Sequence, residues 1–94
     1  MPPTPAPTRD DFKAWTVDRL RYCDTDRQGH VNNAVFATFC ESGRTSILFE
    51  DGKPIAPEGF AWVIARLVLD FRSELNWPGE VETGTAVARI GTSS

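Results

Sequence analysis

Histidine, cysteine and positive charge are all scarce in this chain of 94 residues, and each scarcity removes a class of function. One histidine and two cysteines, Cys23 and Cys40, cannot supply a metal-ligand set at the usual spacings, so no metal is expected. Two cysteines are also too few for a disulfide framework; they read as reduced thiols of a cytoplasmic protein. Neither has a basic partner in a pattern that would make it a nucleophile. The net charge of -3 argues against a duplex nucleic-acid binder with a basic face. It leaves room for a local arginine cluster that meets a small anion. No apolar run reaches the length of a membrane helix or of a signal-peptide core, so no membrane partner is expected. No internal repeat and no glycine-rich phosphate loop is present.

What remains is an ordinary globular composition, 40% hydrophobic and 24% charged, and a length that allows one domain at most. A chain this short buries a modest share of its surface, which favours association with another copy. Met1 to Asp11 carries four prolines and reads as a flexible arm, with the domain proper spanning 12–94. Phe12 to Cys23 is rich in β-branched and aromatic residues and reads as a strand. Asn33 to Glu50 reads as the one long helix, capped by Asn32 or Asn33 and stopped by Gly52. Phe36, Cys40, Gly43 and Ile47, flanked by Phe39, share one helical stripe. Gly43 within that stripe signals either close approach of a sheet or simple tolerance.

Lys53 to Phe60 reads as a loop. Ala61 to Leu75 reads as the clearest strand, with Val63, Ala65, Leu67, Leu69 and Phe71 on a core face. Asn76 to Gly79 reads as a turn, and Glu80 to Ile90 as a further strand. The order is strand, helix, strand, strand. A last strand at the chain end leaves a long edge, so the sequence is expected to be a fragment or its edge to be covered by a partner.

The most informative stretch is Asp24 to Ala34, Asp-Thr-Asp-Arg-Gln-Gly-His-Val-Asn-Asn-Ala. It places two carboxylates, the sole histidine and two asparagines in one polar turn between a strand and a helix start. Backbone N–H groups at a helix start lack partners and attract negative charge. Such a site can hold a carbonyl oxygen while a carboxylate acts on its carbon.

The run Arg21 to Ala34 resembles the hotdog-fold acyl-CoA thioesterases of the 4-hydroxybenzoyl-CoA thioesterase type. The resemblance continues through Phe39, Glu41 and Arg44, returns at Phe71-Arg72, and closes at Ile90-Gly91-Thr92-Ser93-Ser94. It implies an α+β hotdog fold, an antiparallel sheet wrapped around one long central helix. It also implies further strands beyond Ser94, so that the domain is expected to be incomplete at its C-terminus. Family members form homodimers, often paired into dimers of dimers, with sites at the subunit junction.

By that resemblance the substrate is an acyl-CoA, hydrolysed to free acid and CoA, with no separate cofactor because coenzyme A is part of the substrate. Asp26 maps to the general base or nucleophile, and the N–H of Asn33 to the donor that polarises the carbonyl. Gly29 lets the turn bring Asp26 to the helix end; Gly29, Val31 and Asn32 are expected to contact substrate. Arg72, Gly91, Thr92 and Ser93 are candidates for the coenzyme A moiety, with Arg66 and Arg89 as further strand arginines.

Blander roles stand beside these. Asp26 can be a turn aspartate that bonds its own backbone. His30 either orients water or substrate or is a hydrogen-bonded structural residue, and Asn32 either caps the helix or meets substrate. Asp24 reads as structural, holding the turn or pairing with an arginine. Glu41 is solvated, paired with Arg44, or turned to a second subunit. The arginines can be solvated strand residues. Rival functions are a hotdog hydratase or dehydratase of enoyl thioesters, a hydrolase of acyl carrier protein thioesters, and a non-catalytic acyl-CoA-binding module.

Overall fold

The computed structural model describes residues 6–92. Strand β1 (Ala14–Arg19) pairs antiparallel with β4 (Glu80–Thr85), Ala14 opposite Thr85 and Arg19 opposite Glu80. Helix α1 (Asn33–Leu48) packs on one face of this ladder. Between them, β2 (Phe49–Glu50) and β3 (Lys53–Pro54) form a small hairpin.

The face of the ladder that meets the helix is built from small residues. Ala14, Thr16, Thr83 and Thr85 are half-buried, while Trp15 and Val17 of β1 point to the other face. Small side chains let the helix axis come close, and Gly43 is where it does so. Thr83 and Thr85 occupy the space a side chain at Gly43 would need. Close approach, not tolerance, is the reason for the glycine.

The core lies directly beneath the polar turn. Leu20 precedes the turn and Val31 follows it; with Phe39 of α1 they are the buried apolar residues among those described. Val35, Phe36, Leu75 and Val81 pack around them. Burial of side chains of this size is worth about 1.5–3 kcal/mol each. The turn is therefore held from below by the best-buried part of the chain.

Three sequence expectations are corrected. Ala61 to Leu75 carries no strand ladder among the described residues, and of its proposed core face only Leu69 is half-buried; Val63 is 85% exposed. Alternation marks which side chains favour a shared face, but a strand exists only where a neighbour takes its N–H and C=O groups. Among the described residues such a neighbour meets this segment only at its end, where the Leu75 carbonyl accepts the Val31 N–H. The last strand stops at Thr85, not Ile90, because β1 offers partners only as far as Ala14. Gly52 does not stop the helix. The helix ends at Leu48 as Phe49 turns extended, and Asp51 and Gly52, both at positive φ, form the tight turn of the β2–β3 hairpin.

Of the proline-rich arm, Met1 to Pro5 lie outside the described residues. Arg9–Asp11 forms one 3-10 turn, and Arg9 Nη2 reaches Glu82 Oε2 of β4 at 2.6 Å. No helix among the described residues is long and apolar enough to cross a membrane.

Candidate functional site

After Leu20 the chain makes a 3-10 turn, Tyr22–Asp24, and enters the polar segment. Asp24 is buried at 2% exposure. Its carboxylate accepts from the Arg21 guanidinium at 2.8 Å and from the Arg21 backbone N–H at 2.8 Å. These bonds outweigh burial and hold its pKa below the ordinary carboxylate value, the side-chain bond contributing most. The Asp24 carbonyl accepts the Asn32 N–H at 2.8 Å, and Thr25 bridges Val31. The two ends of the turn are thereby drawn together. Asp24 has the structural role expected of it.

Inside this ring, Asp26 is bound on three sides. Its N–H donates to the His30 carbonyl at 2.7 Å and its carbonyl accepts the Gly29 N–H at 3.1 Å. Its Oδ1 accepts the N–H groups of Gln28 at 2.9 Å and His30 at 3.1 Å. Gly29 sits at φ 82°, a conformation open to glycine at little cost. Asp26 is thus a turn aspartate through Oδ1, while Oδ2 has no bonding partner among the described residues. The two readings of this residue are compatible: one oxygen fixes the carboxylate and leaves the other available.

The helix begins as the sequence indicates. Asn32 caps it, its Oδ1 accepting the Ala34 N–H at 2.9 Å. The N–H of Asn33 has no acceptor among the described residues. Capping serves one orphan donor of the first turn and leaves this one open.

A cleft of about 400 Å³ joins these groups. One wall is Asp26, Gln28, His30, Val31, Asn33 and Phe36; the other is Phe71, Arg72, Ser73 and Glu74. Val31 and the edge-on pair Phe36 and Phe71, ring centroids 5.3 Å apart, make its apolar part. His30 Nε2 lies 2.8 Å from Glu74 Oε2. The Val31 N–H donates to the Leu75 carbonyl at 2.8 Å, so the two walls are also tied by backbone.

Of the expected site residues, the cleft gathers Asp26, His30, Val31, Asn33 and Arg72. Gly29 and Asn32 shape its frame without lining it. Gly91 and Thr92 do not line it, and Ser93 lies outside the described residues. Arg66 lines a separate depression with Glu41 and Arg44, and Arg89 is exposed. Glu41 and Arg44 pair at 3.8 Å with substantial exposure, an interaction of small worth. Sequence reasoning missed Gln28, Ser73 and Glu74 as cleft residues; it placed Phe36 in the helical stripe, and Phe71 on a strand face and in the family resemblance. For Glu74 no local signal exists, since its partner His30 lies far along the chain.

The Thioesterase superfamily model matches residues 28–94, starting two positions after Asp26. No curated protein and no solved structure gives a match. The match spans most of the chain and includes the helix and β4 as well as the second wall of the cleft. The chain belongs to the thioesterase superfamily, and the long helix packed on antiparallel strands among its described residues is consistent with the hotdog fold of that family.

Proposed function

We propose that this protein hydrolyses acyl-CoA thioesters to a carboxylic acid and free CoA, in the manner of the 4-hydroxybenzoyl-CoA thioesterase type. The observation that carries the reading is that Asp26 and Asn33 line one cleft, with the Asp26 Oδ2 and the Asn33 N–H both without partners among the described residues. The Asn33 N–H donates to the thioester oxygen and takes up the charge that develops there, an interaction worth about 10²–10³ in rate. Asp26 Oδ2 acts on the carbonyl side. As a base it takes a proton from water while the water oxygen bonds to the acyl carbon; as a nucleophile it forms an anhydride that water then opens. In both cases the C–S bond breaks and the thiolate leaves with the electron pair.

Val31, Phe36 and Phe71 receive the start of the acyl group. Arg72, which lines the cleft, meets an anionic group of coenzyme A. Coenzyme A enters as part of the substrate and no further cofactor is needed. Trp62, Val63, Ile64, Leu67 and Val68 are all exposed, an apolar stretch that favours a homodimer or a dimer of dimers.

The test is thiol release from short, long and aromatic acyl-CoAs by the full-length protein and by Asp26→Asn. The asparagine keeps an oxygen for the Gln28 and His30 N–H groups, so the turn survives while the carboxylate is lost. The expected result is turnover by the wild type and a loss of about 10²–10⁴-fold in the variant. Acyl-CoA bound without thiol release by the wild type would replace the hydrolase by a binding module. A changed acyl chain with the thioester intact would identify a hydratase.

A further inference from the structure

Resting on that reading, we propose that Glu74 is a positioning residue of the site. It acts through the His30 imidazole on the backbone that aims the Asp26 carboxylate. Three contacts in series carry this. Glu74 Oε2 stands 2.8 Å from His30 Nε2. The backbone N–H of the same histidine donates to Asp26 Oδ1 at 3.1 Å. Its carbonyl accepts the Asp26 N–H at 2.7 Å. His30 therefore has its side chain on one wall of the cleft and its backbone on the carboxylate of the other.

The flanking contacts are backbone ones, from Val31 to Leu75 and between His30 and Asn76. Among the described residues, the Glu74–His30 pair is the only side-chain bond between the polar turn and the Phe71–Asn76 wall.

Magnitudes separate this role from a stabilising one. The two side chains are 39% and 59% exposed, and exposed ion pairs contribute little to stability. A displacement of about 1 Å in a catalytic group costs on the order of 10² in rate. Loss of Glu74 should thus be felt in catalysis and barely in folding.

The experiment compares wild type, Glu74→Ala, Glu74→Gln, His30→Ala and the double alanine variant, as full-length proteins. The substrate is whichever acyl-CoA the wild type turns over fastest. Glu74→Ala is expected to lower kcat roughly 10- to 100-fold with KM and the unfolding midpoint nearly unchanged. Glu74→Gln keeps an acceptor for Nε2–H and is expected to recover most of the rate. Adding Glu74→Ala to His30→Ala should cost nothing more. Wild-type kcat in Glu74→Ala, or losses that multiply in the double variant, would overturn the proposal.

A second readout does not depend on turnover. The backbone amides of Gln28 and His30, both bonded to Asp26 Oδ1, should shift in the ¹⁵N spectrum of Glu74→Ala and return in Glu74→Gln. Unmoved amides overturn the proposal. Shifted amides in a protein that cleaves no thioester overturn the hydrolase reading alone and support the link from Glu74 to Asp26.

Discussion

Gly43 of α1 and Thr85 of β4 are packed so closely that a methyl carbon on Gly43 would stand 2.5 Å from Thr85 Oγ1. It would also stand 3.1 Å from Thr83 Cγ2. Alanine favours a helix over glycine by about 0.8–1 kcal/mol, yet here the crowding decides the sign. Both neighbours are β-branched and stiff at χ1, so the helix must lift. Gly43→Ala is expected to destabilise by about 1–3 kcal/mol in urea unfolding. Thr85→Ala in the same chain should recover part of that loss. An unchanged or raised midpoint in the single variant would show that the approach is not limiting.

Asp24 predicts a pH dependence of stability. Its folded pKa is depressed by Arg21, so its contribution is fully present above the unfolded carboxylate range and is lost as pH falls through the lower, folded value. The stability gap between wild type and Asp24→Asn should be constant above about pH 5 and close on acidification. Unfolding curves at a series of pH values measure it. A gap that widens toward low pH would contradict the assignment.

Asn32 separates folding from chemistry. Asn32→Ala removes the acceptor for the Ala34 N–H and should cost about 1 kcal/mol. Asn32→Asp keeps the cap and adds a charge that the helix start favours, so its stability should match or exceed wild type. The same charge stands beside the Asn33 N–H and opposes negative charge developing on a bound carbonyl. Its turnover should fall although its fold is intact. Equal turnover of Asn32→Asp and wild type would argue against an oxyanion at this helix end.

Arg9 joins Glu82 at 2.6 Å and lies 4.0 Å from the centre of the Trp15 ring. The ion pair is well exposed, 65% and 51%, and both contacts are of the weak, surface kind. Arg9→Ala should lower stability by less than about 1 kcal/mol. The difference should shrink as salt is raised, with Trp15 fluorescence as the reporter.

The polar turn, its cap at Asn32 and the start of the helix at Asn33 were legible because local bonds determine them: Asp26, Gly29 and His30 bond to one another within a few residues. At Gly43 the sequence leaves close approach and tolerance open, and the crowding by Thr85 and Thr83 decides for close approach. Ala61 to Leu75 was misread because alternating apolar residues describe a face, whereas ladder formation depends on a partner that the pattern does not name. Gly52 was misread because a glycine after a helix and a glycine in a tight hairpin look alike until Asp51 is seen at positive φ. Glu74 was invisible, since one carboxylate near the end of an apolar segment has no local mark of its distant histidine.

The ring of bonds from Asp24 to Asn32 has a consequence for how this site can diverge. The carboxylate and the helix start close a very short loop, for which little chain entropy must be overcome. The opposite wall, Phe71 to Glu74, comes from a remote segment. In the proposed reading, the groups that act on the thioester, Asp26 and the Asn33 N–H, are encoded in one contiguous stretch, while Phe71 and Arg72, which meet its acyl and coenzyme ends, come from another. Changes at Phe71 or Arg72 can then alter which ester is accepted while the bond-breaking geometry is inherited intact.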